Sequence, residues 1–290
     1  MPHRCIVVAT DFSPTAERAV ARAALIARQQ GAELHLLHVT QPLTLYPGMA
    51  VGPSDTYAAA GVHGAAVRLG ALAQVLRDQY AIQVHIAQRI GRAHTQIAHY
   101  ADTVDAELVV VGARGENAML RLLLGATAWR LLRLRKGALL IVKNAASDVY
   151  RRLLAAVDFS PDSRAALAWA VRLTVEDGLD VLHVLPEEDE ARLRSAGLDS
   201  AAIQQRRKDM RAIVENLMTG LLAELPVKAT RHIDTGHYPT VQILACAAKR
   251  HSELIVLGRH GMGGLEEWLL GGVSKDVAQA AECDVLLTGC

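Results

Sequence analysis

The sequence predicts an α/β fold: two tandem domains, each a five-stranded, mainly parallel, Rossmann-like sheet flanked by helices. Three observations carry this reading. Short apolar runs alternate with longer amphipathic stretches, the pattern of parallel strands joined by crossover helices. The tetrapeptide Asp11-Phe-Ser-Pro14 recurs as Asp158-Phe-Ser-Pro161. The glycines Gly112, Gly115 and Gly125 recur with the same spacing as Gly258, Gly261 and Gly271. With His38/His183 and Gly91/Gly236, all matches fall at offsets of 145 to 147 residues in colinear order. An internal duplication follows, with domains at 1–146 and 147–290 and a short polar linker around 144–149.

The elements can be justified in order. Residues 4–10 form an apolar, β-rich run and predict the first strand. Ser13 before Pro14 is a helix start, with serine as N-cap and proline in the first turn. The Ala-rich stretch 16–30 predicts a helix, closed by Gly31. Residues 33–39 predict the second strand. Pro42, Pro47, Gly48, Gly52 and Pro53 make 41–58 a long loop. A helix over 65–80, a strand over 82–88, a helix over 93–101 and a strand over 107–111 follow. A helix at 126–134 and a strand at 138–142 complete the first copy. The second copy opens with a strand at 152–157. It ends with a strand at 254–257, a helix at 273–281 and a last strand near 285–288.

Bulk properties exclude several classes. The chain has 290 residues, 51% hydrophobic and 21% charged, in the range of a folded globular protein. Only 4% is aromatic, so the core is expected to be aliphatic. A net charge of +1 gives no electrostatic reason to expect nucleic acid as a partner. The halves differ: residues 1–145 carry 15 basic against 9 acidic residues, and 146–290 carry 16 against 21. Drift in surface composition accounts for this, as does mutual docking of the halves. Cys5, Cys246, Cys283 and Cys290 form no CxxC pair and are expected as reduced thiols in a cytoplasmic protein. No apolar run reaches the length of a membrane span. The Leu- and Arg-rich stretch 120–136 has the look of a basic membrane-surface helix, but its repeat counterpart is an ordinary crossover helix.

The chemistry concentrates at strand ends, where parallel sheets bind ligands. Glycines between a strand and a helix let backbone N–H groups approach an anion, and the helix N-terminus adds about half an elementary charge. This makes the two glycine stretches phosphate-cradle candidates. Asp11 and Asp158 end the first strands, as turn aspartates or as acceptors for a ligand amine or hydroxyl. His38 and His183 read as structural. Arg114 and His260 occupy the same place in the two glycine stretches and either face phosphate or are solvated. No metal site is expected, because the histidines lack H-E-x-x-H or Cys/His zinc spacing. The chain has no Walker A loop, no dinucleotide fingerprint and no G-x-S-x-G nucleophile elbow. No catalytic residue is expected.

The aspartate ending strand one and the G-2x-G-9x-G pattern resemble the universal stress protein family, as two consecutive copies spanning nearly the whole chain. Thr127-Ala-Trp-Arg-Leu-Leu and the overall length are similar to its bacterial two-domain subgroup. The resemblance implies an adenine nucleotide alpha hydrolase-like domain, of which some members bind ATP or AMP and others do not. The implied nucleotide-binding residues are Asp158, Val184, Gly258, Gly261, Gly271 and Gly272 in the second half. In the first half they are Asp11, Val39, Gly112, Gly115, Gly125 and Ala126. Binders carry Ser or Thr where this chain has Gly272 and Ala126. A lost hydroxyl bond to phosphate is worth roughly 1.5–3 kcal/mol, or about one to two decades of affinity. Ser274 and Thr127 are the nearby hydroxyls that could substitute.

The expected function is a non-enzymatic stress-response protein that binds an ATP- or AMP-type nucleotide or another small ligand, with domain 2 the better site. Mg2+ enters only together with ATP. Family precedent implies pairing of the domains within the chain, through 138–142 against 285–288, and a homodimer acting on an unidentified protein partner. Two alternatives stay open: a scaffold with vestigial nucleotide sites, and a weak ATP hydrolase.

Overall fold

The computed structural model describes residues 4–41, 54–113, 124–134, 137–146, 148–261 and 271–289.

 Outside it fall residues 42–53, with most of the predicted loop, and 114–123, with Arg114 and Gly115. The chain divides into two compact units: residues 1–149 with 282–287, and residues 150–281 with 288–290.

Unit 1 runs β1 (Cys5–Thr10), α1 (Pro14–Gln30), β2 (Glu33–Thr40), α2 (Ser54–Tyr80), β3 (Val84–Ile90), α3 (Ala93–Thr103), β4 (Leu108–Gly112), α4 (Ala126–Leu134) and β5 (Ala138–Val142). Its strands lie in the order β3-β2-β1-β4-β5, all parallel. β1 is therefore the switch point, with chain progressing outward on either side. The α1 start forms as predicted: Ser13 Oγ accepts from the Ala16 N–H at 3.2 Å, and Pro14 opens the helix. Gly31 closes it in the left-handed region at φ 60°, a conformation that costs glycine little. Val7, Val8, Leu34, Leu36, Val109 and Leu140 are fully buried, giving the aliphatic core that the composition predicts.

Two boundaries differ from expectation. α2 begins at Ser54 rather than near residue 65. Gly61 and Gly64 obscure its Ala-rich first half as a helical pattern. A Cβ on Gly64 would meet nothing within 4 Å, so that glycine marks no turn. β3 covers Val84–Ile90 rather than 82–88 because it pairs in register with β2, from Leu34 opposite Val84 to Thr40 opposite Ile90.

Unit 2 repeats the plan: β6 (Leu153–Ala156), α5 (Pro161–Leu173), β7 (Leu179–Pro186), α6 (Glu190–Ser195), α7 (Ser200–Ala223), β8 (Ala229–Gly236), α8 (Pro239–Arg250), β9 (Leu254–Gly258) and α9 (Gly272–Ala280). Its parallel strands lie in the order β9-β6-β7-β8, with β6 at the switch point. The last strand, β10 (Asp284–Thr288), is grouped through residue 287 with unit 1. There it pairs antiparallel with β5, Val285 opposite Ile141 and Leu287 opposite Leu139. Asp284, 1% exposed, anchors it by accepting from the N–H groups of Lys143 at 2.8 Å and Asn144 at 3.1 Å. Among the described residues, Cys5, Cys246 and Cys283 are buried and form no disulfide; Cys290 lies outside them. Among the described residues, no helix is long and apolar enough to cross a membrane.

Candidate functional site in the second domain

The site grows from the end of β6. The chain leaves that strand through Asp158 and Phe159, and Phe159 takes a left-handed φ of 67°. Such a backbone is uncommon for a bulky residue and needs local support. The support is an aspartate turn: Asp158 Oδ1 accepts from the Ser160 N–H at 3.1 Å and from Ser160 Oγ–H at 2.5 Å. Ser160 Oγ also caps α5 by accepting from the Ser163 N–H at 3.2 Å. The Phe159 ring then sits against His183, with centroids 4.8 Å apart.

His183 Nδ1 lies 2.8 Å from the Val157 carbonyl, so it carries the proton and donates. Burial pushes its pKa down, against smaller upward pulls from the Val157 carbonyl and Asp158. The imidazole is a clamp between the ends of β6 and β7, as the structural reading of this residue expects. Unit 1 repeats the arrangement. Phe12 has φ 63° and packs on His38 at 4.8 Å. His38 Nδ1 is 2.8 Å from the Thr10 carbonyl, and Asp11 Oδ1 accepts from the Ser13 N–H at 3.0 Å.

The glycines have distinct jobs. A Cβ on Gly258 would stand 2.8 Å from backbone atoms of Asp162 and Ser163, so glycine here lets β9 meet the start of α5. A Cβ on Gly261 would stand 2.7 Å from Asp158 Oδ2, so this glycine admits the loop beside the carboxylate. Gly271 donates its N–H to the Arg259 carbonyl at 3.0 Å and leads into α9. At Gly272 a Cβ would meet nothing within 4 Å. Ser274 Oγ donates to the Gly258 carbonyl at 2.7 Å, which ties α9 to the end of β9. Its one hydroxyl proton is engaged there.

Together these groups line a half-open cavity of about 400 Å3, within the usual size of small-molecule sites. Asp158, Val184, Gly258, Gly261, Gly271, Gly272 and Ser274 all line it. Leu182, Leu257, Pro239 and Ile243 supply apolar wall that no sequence motif marks. Pro239 at the start of α8 was the available signal, with Ile243 one turn on. His260 also lines the cavity. Asp162 Oδ2 holds it, 3.1 Å from its backbone N and 2.9 Å from Nδ1.

The counterparts in unit 1 are only partly described, since Gly115 falls outside. A Cβ on Gly112 would stand 2.9 Å from the Thr15 carbonyl oxygen, matching the role of Gly258. Gly125 donates its N–H to the Ala113 carbonyl at 2.8 Å, as Gly271 does to Arg259. Val39 and Thr127 are half-buried and Asp11 is exposed.

The fold and the repeated strand-end turns define a class of tandem α/β proteins, with a cavity at the switch point of the second unit. The sequence matches the universal stress protein family over residues 3–143 and again over 149–289, and the chain belongs to that family as a tandem member. It is 27% identical over 294 residues to a universal stress protein of Mycolicibacterium smegmatis, covering 97% of this chain and 96% of the relative. A universal stress protein of Mycobacterium tuberculosis is 24% identical over 310 residues, covering 97% and 94%. The crystal structure of a universal stress protein from Archaeoglobus fulgidus superposes with a TM-score of 0.71 at 20% identity, covering 100% of this chain and 99% of that one.

Proposed function

We propose that the second domain binds an adenine nucleotide of the ATP or AMP type and that the protein acts by binding rather than by catalysis. The observation that carries this reading is the cavity, which gathers every described residue that the family resemblance assigns to nucleotide in that domain. The N–H groups of Gly272, Val273 and Ser274 open α9, where no preceding helical turn supplies carbonyl partners. They are the donors for phosphate, and the helix dipole favours its charge. Asp158 supplies an acceptor for the hydroxyl or amine end of the ligand, and Val184 and Ile243 supply apolar surface for a base. Asp158 and Asp162 both carry carboxylates at this end, so phosphate belongs on the α9 side. Mg2+ joins only with ATP. Slow hydrolysis of ATP is the alternative activity of the same site.

One observation favours a second reading, a scaffold with a vestigial site. The hydroxyl that binders carry after the third glycine is absent at Gly272, and Ser274 directs its proton to Gly258. Native mass spectrometry of protein purified from cells separates the readings. A co-purified adenine nucleotide supports the first, and a stoichiometric non-nucleotide molecule overturns it. Dimerisation of this chain and the binding of a further protein partner are part of the proposal.

A further inference from the structure

A second chemical constellation sits in the first domain, away from the strand-end site. β2 and β3 are parallel neighbours with His35 directly opposite His85. Glu33 precedes His35 by two residues, which puts both on the same face of β2. One ligand atom from each of Glu33, His35 and His85 lies within 4.8 Å of the other two. His85 Nε2 is 3.3 Å from Glu33 Oε2, and the two imidazole centroids are 4.6 Å apart. His35 Nδ1 is 2.8 Å from the Tyr100 hydroxyl of α3.

We propose that Glu33, His35 and His85 form a binding site for a divalent first-row cation of the Zn2+ type. Two imidazoles and a carboxylate suit such a borderline ion. Bonds of about 2.0–2.2 Å place neighbouring donors of one ion roughly 3–3.5 Å apart, which the Glu33–His85 pair already meets. Binding requires the stacked His35 and His85 rings, tilted by 32°, to turn until their lone pairs converge on the ion. Tyr100 acts as the orienting partner. With its oxygen accepting from Nδ1–H, the His35 tautomer leaves the Nε2 lone pair for the metal. Three protein ligands leave a coordination position for water or an exchangeable ligand, unlike a closed four-ligand structural site. The equivalent place in the second domain is filled differently. There Asp180 takes the place of His35 and is bridged by His232 Nε2 at 2.7 Å and Arg250 Nε at 3.1 Å. The two copies thus place a polar cluster at the same locus, one built around a guanidinium and the other around metal-ligand side chains.

The test is titration of the full chain with Zn2+ by calorimetry and with Co2+ by visible absorption. One ion per chain is expected, with a Co2+ spectrum lacking thiolate charge transfer. His85→Ala and Glu33→Gln are each expected to weaken binding at least tenfold, and Tyr100→Phe about tenfold. His237→Ala, in the second domain, is expected to leave affinity unchanged. Circular dichroism of Glu33→Gln, a near-isosteric change, establishes that the variant is folded. Affinity unaltered in both His85→Ala and Glu33→Gln, a thiolate band with Co2+, or no binding at micromolar metal would overturn the assignment.

Discussion

At Asp158 the two carboxylate oxygens face different tasks. Oδ1 holds the turn that carries Phe159 and caps the approach to α5, while Oδ2 lies beside Gly261 at the cavity. Asp158→Asn retains an acceptor for the turn and replaces the second oxygen by a donor. Nucleotide affinity is expected to fall at least tenfold with the melting temperature little changed, measured by calorimetry beside a thermal scan. His183 makes a prediction about pH. Burial lowers its folded pKa below the ordinary 6.5. The unfolded chain then takes up more protons as pH drops, so the contribution of His183 to stability is complete above about pH 6.5 and is lost as pH falls through the folded pKa. Urea midpoints taken at descending pH should therefore fall more steeply for the parent than for His183→Gln. The aspartate and histidine were both visible in sequence through their repetition. The left-handed Phe12 and Phe159 were not, because phenylalanine rarely adopts that conformation and nothing in residue type signals it.

At the scale of elements, the glycines that end β4 and β9 set how closely helix starts approach strand ends. Gly112→Ala and Gly258→Ala each drive a Cβ into backbone of the facing helix start, at 2.9 and 2.8 Å. Backbone cannot rotate aside as a side chain can, so each change is expected to cost about 1–3 kcal/mol in urea unfolding. A value within about 0.5 kcal/mol of the parent at both positions would contradict the packing argument. Strand and helix spacing made α4 and β5 legible to the residue. α2 was legible only in its second half, where periodic Leu69, Ala73 and Leu76 face the core. Its first half carries glycines that compete with the helical pattern, and β3 takes its bounds from a neighbouring strand rather than from its own residues.

Over the whole molecule, duplication was the strongest sequence signal because nine matched positions keep one order and nearly one offset. The polar half of the candidate site was readable for the same reason. Its apolar wall was not, since Leu182, Leu257 and Ile243 are the residue types that also fill the core. The pairing of β10 with β5 came from the family resemblance, which implies 138–142 against 285–288, and not from composition. It rests on Asp284, which accepts two backbone bonds and faces Arg22 at 3.6 Å with both side chains buried. Asp284→Ala removes the acceptor of those N–H groups and the carboxylate facing the buried Arg22 guanidinium, which keeps its bond to the Asp148 carbonyl, and a loss of about 3–5 kcal/mol is expected in denaturant unfolding.

The central claim is that the second-domain cavity holds an adenine nucleotide. Its most direct test is calorimetric titration of ATP, ADP and AMP into the full chain and into Gly261→Val, whose added side chain would enter the space beside Asp158 Oδ2. The account predicts saturable heat for at least one nucleotide in the parent and its loss in the variant. No heat from the parent at millimolar ligand, or equal heat from both proteins, would contradict it.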